Sequence, residues 1–96
     1  MNNQEQLLYI TNLRVKEMGT PNIRGVTAYW KNNTACLSFY FDGEPTENDI
    51  ENASDICGNV IASFSEGLLE EHYIRYDYPR KLPEKFLAYR RNIMPS

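Results

Sequence analysis

The chain has 96 residues, of which 42% are hydrophobic and 24% charged, and its formal net charge is −3 at pH 7. This length predicts one domain, residues 1–96, with a single hydrophobic core. The negative charge argues against direct binding to nucleic acid, which needs a basic surface. Apolar runs are too short for a membrane span, and the N-terminus lacks the parts of a secretory signal, so a cytoplasmic protein is expected.

A helix is predicted for residues 3–18. Five of its side chains share an arc of roughly 100° on a helical wheel, the width of a core-facing stripe: Leu7, Leu8, Thr11, Val15 and Met18. Gly19 is expected to cap this helix in the left-handed conformation, and Pro21 to prevent its continuation. A strand is the alternative, because "LLYITNLRV" is rich in residues that favour β-structure.

A β-hairpin is predicted next. The segments "IRGVTAYWK" and "TACLSFYF" flank Asn32-Asn33, residues that tolerate the positive φ of a two-residue turn. If Lys31 pairs with Thr34, one face collects the apolar side chains and becomes the core face: Val26, Ala28, Trp30, Ala35, Leu37 and Phe39. The opposite face is semi-polar: Thr27, Tyr29, Cys36, Ser38 and Tyr40.

Pro45-Thr46 is expected to open a second helix, with Thr46 as N-cap and Asp49 in the capping-box position. Its core side repeats at helical spacing: Ile50, Ala53, Cys57, Val60, Ile61 and Phe64. Gly67 is the expected C-cap.

The remaining chain predicts one or two strands. "HYIRYDY" is typical of a strand that ends before Pro79, and "FLAYRR" indicates a short last strand at an edge. The order α-β-β-α-β(-β) predicts an α+β fold. Its simplest form has two layers, an antiparallel sheet of three or four strands with both helices on one face.

Catalytic and metal-binding motifs are missing from the sequence. The single histidine, His72, is interpreted as a packed or surface residue, and Cys36 and Cys57 as small apolar fillers with no base beside them. Both thiols are expected to be reduced, and a disulfide between them is the alternative. Metal-ligand chemistry would have to depend on carboxylates alone, and residues 42–55 lack the spacing of a calcium loop. No enzymatic activity, cofactor or metal is therefore expected.

The acidic residues are concentrated in one part of the chain. Residues 32–74 hold nine Asp or Glu and no Lys or Arg. Glu47, Glu51 and Asp55 follow at i, i+4 and i+8, which places them in one row along the second helix. Asp42 and Glu44 extend this acidic patch onto the preceding loop. The patch is either a solvated helix face or a docking surface for a basic partner, such as a nuclease.

Several short motifs resemble a family of small bacterial proteins, the immunity proteins of contact-dependent growth inhibition systems. They are Asn22-Ile23-Arg24-Gly25-Val26, Phe39-Tyr40-Phe41-Asp42-Gly43, Thr46-Glu47-Asn48-Asp49, Asp77-Tyr78-Pro79 and Tyr89-Arg90-Arg91. The resemblance implies a cytoplasmic protein that binds the toxic C-terminal domain of a delivered effector, often a nuclease, and neutralises it. The resemblance assigns no binding residues in this sequence.

Two other functions stay open. The chain could be a small non-catalytic adaptor or homodimer that binds through the tyrosines of the semi-polar face, Tyr29 and Tyr40, with Tyr73 as a further anchor. It could also be an enzyme with an unusual carboxylate site. For the immunity protein, a monomer or weak dimer is expected, with the cognate toxin domain as its partner.

Overall fold

A computed structural model describes residues 2–91 as an α+β fold, as predicted. The order of elements is α-β-β-α-β-β, with these bounds: α1 Asn3–Met18, β1 Ile23–Lys31, β2 Thr34–Phe41, α2 Glu47–Ile61, β3 Leu68–Arg75 and β4 Leu87–Arg90. Neither helix in this part of the chain combines the length and the apolar character that crossing a bilayer demands.

The first element is a helix, so the alternative strand is wrong. The side chain of Asn2 caps its N-terminus by accepting from the N–H of Glu5 at 2.8 Å. Gly19 ends it, but in an extended conformation (φ −66°, ψ 149°) and not the predicted left-handed one. A Cβ at Gly19 would lie 2.6 Å from the carbonyl oxygen of Val15, so the close approach of the backbone requires glycine here.

The predicted hairpin register is confirmed residue by residue. Lys31 pairs with Thr34, and the pairing continues through Ala28 with Leu37 to Val26 with Phe39. Asn32 and Asn33 have φ values of 51° and 57°, the left-handed pair of a two-residue turn whose twist matches that of the strands. The strands therefore place the predicted apolar face toward the core.

Helix α2 begins as predicted but ends earlier. Thr46 and Asp49 form the reciprocal capping box. The helix stops at Ile61, and Gly67, the expected cap, lies beyond it, immediately before β3, with φ 148°. Phe64 consequently lies outside the helix, where its ring stacks on Trp30 at 4.8 Å between centroids.

The buried side of α2 differs from prediction at two positions. Ile50, expected in the core, is 37% exposed, whereas Ile56, which was not predicted, is fully buried. The buried face of α2 is therefore rotated about the helix axis, away from Ile50 and toward Ile56. Ala53, Cys57 and Val60 are buried as predicted.

The sheet has the strand order β3-β2-β1-β4 and is not wholly antiparallel. β3 runs parallel to β2, with Cys36 opposite Glu70 and Phe39 opposite Tyr73. The prediction of an antiparallel sheet is wrong for this pair because α2 is a crossover connection, which returns the chain in the original direction. β3 also begins four residues before the predicted strand, and β4 pairs antiparallel with β1 at the opposite edge.

Both helices pack on one face of the sheet, as predicted. The fully buried cluster there joins side chains of α1, α2 and the central strands, among them Leu7, Val26, Leu37, Phe39, Phe41, Ile56 and Val60. Phe39 and Phe41 are the largest fully buried side chains. The protein thus has two layers around one core.

Residues 76–86 cross part of the other face of the sheet. Leu82 is buried against Gly25, where an added Cβ would lie 2.8 Å from the leucine Cδ1. Phe86 packs on Tyr29, with 4.3 Å between ring centroids. We call the face opposite the helices the open face, although this segment covers its β1 side.

Candidate functional site

Acidic and basic residues are separated in the folded structure, as they are in the sequence. β2, α2 and nearly all of β3 lie within residues 32–74 and occupy one half of the sheet. That acidic half carries nine acidic and no Lys or Arg residues, whereas the rest of the chain carries ten basic and four acidic residues. The boundary runs between β1 and β2. The molecule therefore presents an acidic half and a basic half.

Helix α2 carries the predicted row of carboxylates. Glu47, Glu51 and Asp55, which we call the acidic row, are all exposed on the solvent side of the helix. Among the described residues, none of the three forms an ion pair. Only Glu47 lies in the first turn, where the helix dipole favours negative charge. The fold thus offers little local stabilisation for Glu51 and Asp55.

The two acidic residues of the preceding loop have arginine partners. Asp42 accepts from Arg91 Nη2 and from the Tyr78 N–H, each at 3.2 Å. Glu44 lies 3.9 Å from Arg75 Nη1. Asp42 thus links the end of β2 to Tyr78 and Arg91. A partner that binds Asp42 would have to replace these contacts.

Asp49 belongs to the acidic segment but has a structural role. It is 3% exposed and accepts hydrogen bonds from Thr20 Oγ1 at 2.9 Å, Asn22 Nδ2 at 3.2 Å and the Thr46 N–H at 3.0 Å. Burial raises the pKa of its carboxyl group, but these hydrogen bonds outweigh burial, and the pKa falls below its ordinary value. Asp49 therefore joins the loop after α1 to the start of α2.

The predicted tyrosine anchors do not form one exposed surface. Tyr29 is 36% exposed on the open face, beside Phe86. Tyr40 is half-buried, with its ring edge-on to Tyr76 at 5.2 Å between centroids. Tyr73, the further anchor, lies on the helix face, where it stacks on Phe39. Its assignment to the semi-polar face is wrong, because β3 begins and pairs differently from the predicted strand.

The structure brings together three residues that the sequence did not connect. Cys36 of β2 and Glu70 and His72 of β3 place one donor atom each within 4.8 Å of one another. His72 Nε2 lies 3.1 Å from Glu70 Oε1. The expectation that Cys36 has no base nearby is therefore wrong. Partial burial and the negative charge of Glu70 both raise the pKa of the Cys36 thiol.

The other thiol is separated from this cluster. Cys57 is fully buried in α2, on the helix face of the sheet. Both cysteines are free. Burial raises the pKa of the Cys57 thiol, which fits the predicted role of a small apolar filler.

A basic depression of about 230 Å³ lies in the basic half, and its wall is mostly cationic: Arg24, Pro79, Arg80, Lys81, Leu82, Glu84, Arg90 and Arg91. Arg24 is only 6% exposed, and its Nη1 donates to the Tyr76 carbonyl oxygen at 2.7 Å. Its guanidinium also lies over the rings of Tyr76 and Tyr78. Arg24 therefore anchors the segment that crosses the open face.

A family model described as MafI2 immunity protein matches residues 15–92, from the last turn of α1 through β4. Curated proteins give no match.

Proposed function

The chain belongs to the MafI2 immunity protein family, and we propose that it neutralises a toxin by binding the toxic domain one to one and blocking it. The proposed toxin is the C-terminal domain of a contact-dependent inhibition effector, and the proposed activity of that domain is a nuclease. In this proposal the immunity protein acts in the cytoplasm as a monomer or weak dimer and performs no chemistry. Inhibition is steric, through cover of the toxin's active site or substrate groove.

The acidic row is the observation that supports a basic partner. Three like charges spaced by four residues repel one another and cost the helix a few tenths of a kcal/mol per pair. A nuclease must attract nucleic acid, so its surface offers the complementary charge. Opposite surface charges accelerate association and align the partners.

The proposed binding surface includes an apolar residue. Ile50 is 37% exposed on α2, between Glu47 and Glu51 in sequence. Interfaces commonly surround an apolar contact with a polar rim. We propose that Ile50 contacts the toxin beside the acidic row, next to Glu47 and Glu51 on the helix surface. Asp42 and Glu44 are proposed as secondary contacts of this surface, whereas Tyr29 and Tyr40, on the open face, are proposed as contacts of a separate surface.

Titration of the toxin domain tests the function itself. Toxin activity is expected to fall in proportion to added protein and to reach its minimum at a 1:1 molar ratio. We expect a dissociation constant near nanomolar, equivalent to about −12 kcal/mol. Activity assays combined with calorimetry measure both quantities. Loss of activity at strongly substoichiometric amounts would contradict inhibition by binding and would indicate an enzyme.

A triple variant tests the binding surface. Glu47→Gln, Glu51→Gln and Asp55→Asn together are expected to slow association about tenfold at low ionic strength, because charges at an interface rim act mainly on the on-rate. The difference should shrink with added salt, since the screening length is about 8 Å at physiological ionic strength. Stopped-flow measurements at low and high salt determine these rates.

The matched control removes the same amount of charge from elsewhere. Glu5→Gln, Glu17→Gln and Glu84→Gln change the net charge equally but lie outside residues 32–74. We expect this control to associate at nearly the parental rate. Equal slowing in both variants would indicate net charge alone. Parental rates in both would show that the acidic row is a solvated face and would direct the search for the binding surface to the tyrosines of the open face or to the basic depression.

A further inference from the structure

The open face carries a cluster of three different donor types on two adjacent strands. In the parallel register, Cys36 lies opposite Glu70, and His72 lies two residues further along β3 on the same side. Sulfur, carboxylate oxygen and imidazole nitrogen are the ligands that zinc binds in proteins. A continuous ladder between β2 and β3 fixes their relative positions.

The spacing of the donor atoms is close to that of a shared metal ion. Bond lengths of 2.0–2.3 Å in a tetrahedral zinc site place neighbouring donors roughly 3.3–3.6 Å apart. His72 Nε2 and Glu70 Oε1 are already 3.1 Å apart, and all three donor atoms lie within 4.8 Å of one another. Small rotations of the side chains would therefore suffice to surround an ion.

The charges of the cluster also suit a dication. The thiolate of Cys36 and the carboxylate of Glu70 together balance the two charges of a bound Zn²⁺. On binding, the thiol proton passes to solvent, and His72 coordinates through Nε2, the ring nitrogen nearest Glu70.

The site is accessible from solvent. Glu70 and His72 are exposed, and Cys36 is partly exposed. A shallow depression of about 290 Å³ reaches the cluster, lined by Tyr29, Lys31, Asn32, Thr34, Cys36 and Glu70. This leaves room for a water molecule as fourth ligand.

We propose that Cys36, Glu70 and His72 form a zinc site on the open face, with water completing a tetrahedral coordination shell. The ion links β2 to the edge strand β3. The site is independent of toxin binding, and it would hold whatever the partner of the acidic row is.

Cobalt spectroscopy of the untagged full chain tests this site. Co²⁺ substitutes for Zn²⁺ and reports a thiolate ligand by a charge-transfer band and a tetrahedral geometry by intense visible bands. One equivalent of Co²⁺ should produce both signals, and Zn²⁺ should remove them by displacement. Cys36→Ser should abolish the charge-transfer band, and His72→Gln and Glu70→Gln should each weaken binding at least about tenfold.

Two control variants separate the site from general effects. Cys57→Ala removes the other thiol, and Glu84→Gln removes an exposed carboxylate elsewhere; both should bind Co²⁺ as the parent does. Zn²⁺ should also raise the melting temperature of the parent but not of His72→Gln, because a ligand of the folded state stabilises it. Absence of a thiolate band with excess Co²⁺, or unchanged binding in His72→Gln and Glu70→Gln, would overturn the proposal.

Discussion

Replacing Phe39 by alanine is expected to lower the free energy of unfolding by about 3–5 kcal/mol. Phe39 is fully buried in β2, a central strand flanked by β1 and β3. Its ring packs against Tyr73 of the edge strand and lies opposite Val26 of β1. A smaller side chain would leave a cavity that the surrounding sheet could not close. Since domains of this size have about 5–15 kcal/mol of stability, the loss would be a large part of the total.

Urea denaturation monitored by circular dichroism measures the effect, and Tyr9→Ala is its control. Tyr9 is 57% exposed on α1, and alanine favours a helix, so its replacement should cost little. If Phe39→Ala unfolded within a degree or two of the parent in a thermal melt, the assigned core would be wrong.

Asp49→Asn is expected to lower the free energy of unfolding by about 2 kcal/mol near neutral pH, because hydrogen bonds to a charged acceptor contribute about 1.5–3 kcal/mol. The asparagine side chain keeps one acceptor oxygen for donors from Thr20, Asn22 and Thr46. Because folding lowers the pKa of Asp49, its ionised form stabilises the native state above the ordinary pKa of an aspartate. That stabilisation is lost as the pH falls through the lowered pKa.

Denaturation of parent and variant at several pH values between neutral and acidic conditions measures this linkage. The difference between the two proteins should shrink as the pH falls, because the parent carboxylate becomes protonated. Asp55→Asn is the control, since Asp55 is exposed on the same helix and forms no ion pair with the described residues. A cost for Asp49→Asn that is constant with pH would contradict a role for the charge.

Local patterns predicted the hairpin and the start of α2 because their determinants are adjacent in sequence. Asn32-Asn33 fixes the turn, and alternation of apolar residues fixes which face is buried. Thr46 and Asp49 satisfy each other's backbone donors within one turn of helix. The end of α2 was predicted too late in the sequence, because Phe64 fits the helical repeat yet packs on Trp30 from outside the helix.

The position of β3 depends on contacts that local patterns do not contain. "LLEEHYIR" alternates between the two faces, with Leu69 and Tyr73 packed against the core and Glu70 and His72 on the other side. Nothing within the strand indicates that its neighbour is β2. A crossover helix between two strands of one sheet is the signal that favours a parallel pair, but the register that places Glu70 opposite Cys36 depends on tertiary packing.

The division of the molecule into an acidic and a basic half gives it an electric dipole across the sheet, from the β3 side to the β4 side. In the field of a charged neighbour, such a body experiences a torque before any contact forms. A cationic surface would turn the α2 side toward itself, and a polyanion such as RNA would turn the β4 side toward itself. Screening limits this rotation to separations near 8 Å at physiological ionic strength, so the dipole acts on the final approach. The protein thereby meets a basic and an acidic macromolecule in opposite orientations, although its net charge is only −3.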